Sequence, residues 1–336
     1  MAKRCASVFS KTLKLNSGYE MPMLGYGTWQ SQDPAALKNG VKAAIQCGYR
    51  HIDTAFNYQN EHIIGEAMSE LIEEGVVKRS DIFLTTKAHF TYYKPEHLRA
   101  LIKAELKALK TDYIDLYLLH FPVPLAKPDE PNQLVKIVDN RVVSEPSVTH
   151  EDTWKIMEEF VDQGLVRSIG ISNFNIKQTE RLLKCGRIKP ALNQVEVNPV
   201  FQNTKLVDFC QKNGVQVTGY SCFGSPGTIN RMTGKAFCPV NILEDERLKK
   251  IGDKYGKNSA QVILRWLAQR NIIAIPKSLT PSRIADNANY DDFELTAEDM
   301  AEIAKIDTNK RNGATSLALP GVVDHPEWPF TEEGSC

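Results

Sequence analysis

The stretch GYRHIDTAFNYQNE, residues 48–61, ends a short strand-like run on a carboxylate, Asp53, and places a phenol, Tyr58, five residues later in a loop. Working outward, the same kind of run recurs along the chain: 24–29, 49–55, 81–87, 113–121, 166–174, 191–197, 215–221 and 271–278. Between the runs lie amphipathic stretches. In DPAALKNGVKAAIQCG, Leu37, Val41, Ala44 and Ile45 share one helical face; in KPEHLRALIKAELKALK, Leu98, Ile102, Leu106 and Leu109 do, with lysines and glutamates elsewhere. Asp33-Pro34 and Thr280-Pro281 read as helix starts, a capping residue followed by proline in the first turn. Eight strands with interposed helices predict an α/β fold, a (β/α)8 TIM barrel. A hairpin in TLKLNSGYEMPML precedes it, and long loops shape its C-terminal face. A doubly wound open sheet is the rival, but G-x-G-x-x-G is absent after the first run. GDKYGKNSA (252–260) has the wrong glycine spacing for a phosphate loop and no strand before it.

Composition bounds the rest. The 336 residues are 42% hydrophobic and 24% charged, with 41 basic and 41 acidic side chains. That balance excludes the clustered basicity of a nucleic-acid or anionic-membrane binder. No apolar run is long enough to span a bilayer. Seven cysteines without a C-x-x-C pair point to reduced thiols in a cytoplasmic protein. The basic N-terminus lacks the apolar core of a signal peptide. Two long connections, 121–153 (with a hairpin-like KIVDNRVVSE) and 221–243, and a tail over 308–336 stand out. No linker divides the chain, so it reads as a single domain over 1–336.

In such a barrel the strand ends build the active face. They carry Trp29, Asp53, Lys87, His120, Ser172 with Asn173, Tyr220 with Ser221, and Lys277 with Ser278, while Gln194 sits within the sixth strand. If these converge, Lys87 would lower the pKa of Tyr58 from about 10 and Asp53 would hold the ammonium in place. His120 would bond a substrate oxygen. The group suits proton delivery to a carbonyl becoming an alkoxide. The hydride that reaction needs is something no side chain supplies, so a nicotinamide is implied.

The stretches GYRHIDTAFNYQNE, LTTK, DYIDLYLLHFP, IGISNF, NQVEVNP and IPKSLTPSRIADN, in this order, resemble the aldo-keto reductases, nearest the aldose/aldehyde reductase group. The resemblance runs from MLGYGTW to HPEWPF. It implies an NADPH-dependent reductase of aldehydes, acting without metal as a monomer. Tyr58 would be the general acid, tuned by Lys87 and Asp53, with His120 orienting the carbonyl. It implies Thr28, Trp29 and Asp53 beside the cofactor, Ser172, Asn173 and Gln194 on the carboxamide, and Tyr220 stacked on the ring. Ser221, Phe223 and Ser225 would close over the pyrophosphate. Lys277, Ser278, Thr280, Arg283 and Asn287 would hold the adenine and its 2′-phosphate, which needs cations and hydroxyls. Trp29, Tyr58, His89, His120 and Phe121, with the tail's Trp328, would line the substrate pocket.

This chain departs from the family at His89 and Phe121, where tryptophans are usual, at Cys222, usually proline, and at Asp286, usually glutamate. His89 is expected to give the pocket a polar rim favouring hydroxylated aldehydes. Taken singly, each site residue has a plain structural use as cap, core or solvated side chain. Rival readings are a metal hydrolase built on His51 and Asp53, a Schiff-base aldolase through Lys87, and a non-enzymatic NADPH-binding sensor or structural protein. The first lacks a convergent ligand cluster, and Asp53 beside Lys87 opposes the lowered pKa that the second needs.

Overall fold

The computed structural model describes residues 11–31, 33–130, 133–225, 240–311 and 319–330. Part of the 221–243 connection, part of the tail, and Cys5, Cys238 and Cys336 lie outside them. The chain opens with the expected antiparallel hairpin, β1 (Thr12–Lys14) against β2 (Glu20–Pro22). The barrel strands follow: β3 (Tyr26–Gly27), β4 (His51–Asp53), β5 (Phe83–Ala88) and β6 (Ile114–Leu119). A two-stranded ribbon, β7 (Ile137–Val138) and β8 (Arg141–Val142), stands in the first long connection. Its turn residues Asp139 and Asn140 both have positive φ, as the tightest hairpin turns require. The barrel then continues through β9 (Val166–Ser172), β10 (Leu192–Glu196), β11 (Gln216–Tyr220) and β12 (Ile272–Ala274).

All eight barrel strands pair in parallel with their neighbours in chain order. The seam closes between β3 and β12. Gly25 N donates to Ala274 O at 2.8 Å, Ala274 N to Met23 O at 2.9 Å, and Gly27 N to Pro276 O at 3.1 Å. The sequence runs at both sides of this seam overestimate the strands, because Pro276 has no N–H to continue the ladder.

Helices α1 (Pro34–Cys47), α2 (Glu61–Glu73), α3 (Pro95–Ala108), α4 (His150–Asp162), α5 (Ile176–Cys185) and α6 (Thr204–Lys212) alternate with the strands. Two helices, α7 (Glu246–Tyr255) and α8 (Ser259–Gln269), precede β12, and α9 (Pro281–Ala288) and α10 (Ala297–Ala304) follow it. Helix α1 begins as its sequence indicates: Asp33 accepts from Ala36 N, Pro34 opens the first turn, and Gly48 ends the helix at φ 113°. Its face of Leu37, Val41, Ala44 and Ile45 is buried. On α3, Leu98, Ile102 and Leu109 are buried as expected, but Leu106 is only partly so, and Glu105 is buried instead.

The apolar layers divide by height. Leu15 and Met21 of the hairpin pack with Phe83, Leu116, Leu118, Leu192 and Ile273, stoppering the N-terminal end of the barrel. The cleft lies at the opposite end, where every parallel strand terminates. Among the described residues no helix is long and apolar enough to cross a membrane.

The seam tolerates no side chain at residue 27, where a Cβ would stand 2.5 Å from the Ile275 carbonyl oxygen. Gly27→Ala should lower unfolding free energy by ~1–3 kcal/mol, the usual cost of overpacking. Urea denaturation measures it, and an unchanged midpoint would mean that β3 and β12 do not approach this closely.

Candidate active site

Strands β4 and β5 bring two opposite charges together inside the barrel wall. Lys87 Nζ donates to Asp53 Oδ1 and to the Thr54 carbonyl, both at 2.7 Å, and stands 3.5 Å from the Tyr58 hydroxyl. Lys87 is 0% exposed and Asp53 1%. The second carboxylate oxygen accepts from Gln194 Nε2 at 2.7 Å, so β10 is tied into the same cluster. Thr28 Oγ1 donates to the Asp53 carbonyl at 2.9 Å, and Asn60 links the Thr28 carbonyl to the Thr54 hydroxyl at 3.0 Å each.

Tyr58 closes a single 3-10 turn, Phe56–Tyr58, which exits through Gln59 in the left-handed region. Its half-buried ring meets the His120 ring edge-on, centroids 5.8 Å apart. His120 follows β6, with its backbone N on Ala88 O at 3.1 Å and its carbonyl accepting from Asn173 Nδ2 at 3.0 Å. Its Nδ1 is buried without a hydrogen-bond partner among the described residues. Asn173, at φ 65°, also bonds the Ser172 hydroxyl, and its Oδ1 accepts from Tyr220 OH at 2.7 Å.

Burial governs protonation here. It pulls the Lys87 ammonium below its ordinary value, with Asp53 resisting. It drives His120 well below the usual histidine range, with Lys87 adding to the effect, so the ring is neutral. It raises the Tyr58 phenol well above 10, with the Asp53 charge reinforcing it. This corrects the expectation that Lys87 lowers the phenol's pKa: in the folded protein the water lost around the ring outweighs the ammonium. Tyr58 therefore keeps its proton at rest, and an ammonium at this distance can stabilise a phenolate.

A cleft of about 960 Å³ runs from this cluster across the barrel mouth. Asp53, Tyr58 and His120 line its inner end, and Lys87 lies beneath. All of Thr28, Trp29, Ser172, Asn173, Gln194, Tyr220, Ser221, Phe223 and Ser225 line its middle, and Lys277, Ser278, Thr280, Arg283 and Asn287 its outer end. Ser225 Oγ bonds Ser221 Oγ at 3.0 Å, with both residues in the left-handed region around Gly224. Lys277 and Arg283 are exposed and make no hydrogen bond or ion pair among the described residues. They flank the start of α9, so two free cations and a helix N-terminus share one spot. An elongated ligand with an amide at one end and a phosphate at the other fits this donor set.

His89 and Phe121 are not part of the lining. His89 is 1% exposed, its Nδ1 held by Thr91 Oγ1 at 2.7 Å and its ring 4.1 Å from that of Phe90. The expected polar rim is therefore corrected: the imidazole is sealed behind the wall. Phe121 packs between Phe90, Trp328 and Phe330, which anchors the tail beside the site.

His51 hydrogen-bonds Thr85 at 3.2 Å beneath the site, and Gly25 lies so close that a Cβ there would overlap its ring. Among the described residues, no three His, Cys, Asp or Glu side chains gather as a metal site would require. Sequence reasoning missed Asn57, which lines the cleft beside Tyr58 with an unpartnered, buried Oδ1. It also set aside 252–260, whose Asp253, Lys257, Asn258 and Ser259 line the cleft from the end of α7, the turn after it and the start of α8. Neither carries a local signal, since both reach the cleft only through the fold.

Residues 23–308 match the family model described as Aldo/keto reductase family. The chain is 40% identical over 324 residues to aldo-keto reductase family 1 member A1 of Gallus gallus, covering 95% of this chain and 97% of that one. It is 40% identical over 305 residues to the NAD(P)H-dependent D-xylose reductase I,II of Candida tropicalis, covering 89% and 93%. The solved aldose reductase of Schistosoma japonicum superposes with a TM-score of 0.86 at 39% identity, covering 96% of this chain and 99% of that one.

His51 and His89 are pushed down to about 3 by burial, and His120 is also well below the usual range. Below about 6.5 the unfolded chain protonates each histidine while the folded one does not. The stability present above that pH is therefore lost as pH falls. Glu61, raised to about 7, acts in the opposite direction over about 4.5 to 7, being protonated first in the folded state. His89→Gln should remove one histidine's share, about 1.4 kcal/mol per pH unit. Urea midpoints at pH 7 and pH 5 test this. The variant should lose roughly 2 kcal/mol less than the wild type, and equal losses would show that folded His89 takes up protons freely.

Proposed function

Because the chain belongs to the aldo/keto reductase family, we propose that it reduces small aldehydes to alcohols with NADPH, as a cytoplasmic monomer. The observation that carries this reading is a buried ammonium 3.5 Å from a phenol at the inner end of a cleft whose outer end presents two unpaired cations. When bound, the nicotinamide supplies the hydride. Ser172, Asn173 and Gln194 would take its carboxamide, and Tyr220 its ring face. Ser221, Phe223 and Ser225 would cover the pyrophosphate. Lys277 and Arg283, with Ser278, Thr280 and Asn287, would hold the adenosine and its 2′-phosphate.

The chain's own residues do the rest. The carbonyl oxygen sits between Tyr58 and neutral His120, which orients it by a hydrogen bond. Tyr58 holds the proton that the oxygen receives as negative charge grows on it. Lys87, fixed by Asp53 and the Thr54 carbonyl, stabilises the phenolate left behind. Exclusion of water at this end strengthens each of these interactions. Following NADPH absorbance with glyceraldehyde and a panel of aromatic aldehydes and ketones tests the activity directly.

Tyr58→Phe should cut kcat by ~10²–10⁴-fold, the usual worth of a general acid, and leave NADPH binding near normal. Stopped-flow hydride transfer with fluorescence titration of cofactor separates the two. A variant retaining most of the wild-type chemical rate would remove Tyr58 from its role.

Arg283→Ala should weaken NADPH binding by about one to two powers of ten and barely change NADH binding, since a charge-assisted contact is worth ~1.5–3 kcal/mol. Equal losses for both cofactors would make Arg283 a structural residue.

A further inference from the structure

Two more carboxyl groups are buried behind Lys87, on the outer side of the barrel wall. Alternate residues of a strand face opposite sides, so Thr86 turns to the helices where Lys87 turns inward. Thr86 Oγ1 donates to Glu61 Oε1 at 2.5 Å, and Glu61, the first residue of α2, is 6% exposed. Tyr117, the register partner of Thr86 across β5 and β6, donates its hydroxyl to Glu105 Oε2. Glu105, on α3, is 1% exposed, and its Oε1 has no hydrogen-bond partner among the described residues. None of the four residues lines the cleft.

Carboxylates buried this close repel, and one of them must hold a proton. Each accepts one hydroxyl, Glu61 from Thr86 and Glu105 from Tyr117. But Glu105 is the more deeply buried and its Oε1 has no partner among the described residues, whereas Glu61 opens α2, where a helix N-terminus favours negative charge. The proton therefore belongs on Glu105. Burial and the Glu61 charge push Glu105 far above the carboxylate range. Burial raises Glu61 to about 7, with the Thr86 hydroxyl and then the Lys87 charge opposing the rise. Lys87 from β5, Glu105 from α3 and Tyr117 from β6 are the titratable groups facing Glu61. Helix α1 instead directs Lys38 and Lys42 to Glu66, Glu70 and Glu74 on the outer surface.

We propose that at alkaline pH Glu61 and Glu105 are a proton-sharing pair with one negative charge, resident on Glu61, and that Glu61 is a positioning residue for the reaction. Its charge helps to keep Lys87 an ammonium behind Tyr58. The proposal rests on the reading of Tyr58 as proton donor and Lys87 as its partner.

The test is the pH dependence of kcat/KM for aldehyde reduction in the full chain. Glu61→Gln keeps an oxygen to accept from Thr86 but removes the charge, so the alkaline limb should move ~0.5–1 unit to lower pH. KM for NADPH should stay constant. Glu105→Gln, which mimics the protonated acid, should leave the limb in place. Infrared spectra of the wild type at pH 8 should show a protonated buried carboxyl that Glu105→Gln lacks, a readout independent of whether Glu61→Gln folds. An unmoved limb in Glu61→Gln, a limb shifted equally by Glu105→Gln, or no protonated carboxyl at pH 8 each overturns the pair. Tyr58→Phe, run alongside, distinguishes the failures. If it stays active, the donor assignment falls and this proposal with it; if it is inactive while the Glu61→Gln limb is unmoved, the pair alone falls.

Discussion

The ion pair between Lys87 and Asp53 constrains everything around it. Removing both groups from water costs several kcal/mol per ion, and their mutual attraction offsets this only when the remaining polar atoms are also bonded. Here they are: the ammonium reaches the Thr54 carbonyl, and the far carboxylate oxygen takes the Gln194 amide. Those partners come from β4, β5 and β10, so the pair exists only when the wall between them is in register. The same requirement extends to the seam, where Gly25 and Gly27 let β3 meet β12 and Thr28 anchor the backbone of Asp53.

A site built on this pair is electrically quiet at rest. One ammonium faces one carboxylate, the phenol keeps its proton, and the imidazole is neutral. A neutral carbonyl compound can enter without meeting an unbalanced charge. In the proposed reaction the imbalance would develop only as its oxygen becomes negative, and the groups that would answer it are already fixed in place. The outer end of the cleft is the opposite case. Lys277 and Arg283 have no hydrogen-bond or ion-pair partner among the described residues, which suits them to attracting and holding an anion rather than to chemistry.

The two ends differ because of how the barrel is filled. The hairpin and an apolar layer of Leu116, Leu118, Leu192 and Ile273 block the N-terminal end, which leaves the cleft at the other. Outside the wall the same alternation that sends Lys87 inward sends Thr86 toward α2 and α3, where a second polar cluster is buried. The active face and the layer behind it are thus consecutive residues of one strand.

Much of this was legible in the chain itself. The eight runs in order, the proline-capped start of α1, and Asp53, Lys87 and His120 at strand ends are local signals, because period and punctuation are written in neighbouring residues. The positions along the cleft could likewise be named from short motifs in order. What tertiary structure alone decided depends on neighbours distant in sequence and on the water they exclude. The phenol of Tyr58 is raised rather than lowered, because desolvation from the whole barrel mouth exceeds one ammonium. His89 is sealed against Phe90 and Thr91 instead of edging the pocket, Glu105 is buried where the helical pattern favoured Leu106, and the turn between α7 and α8 reaches the cleft. Sequence determines which side chains stand at each strand end; the dielectric around them, and hence their protonation, is a property of the closed barrel.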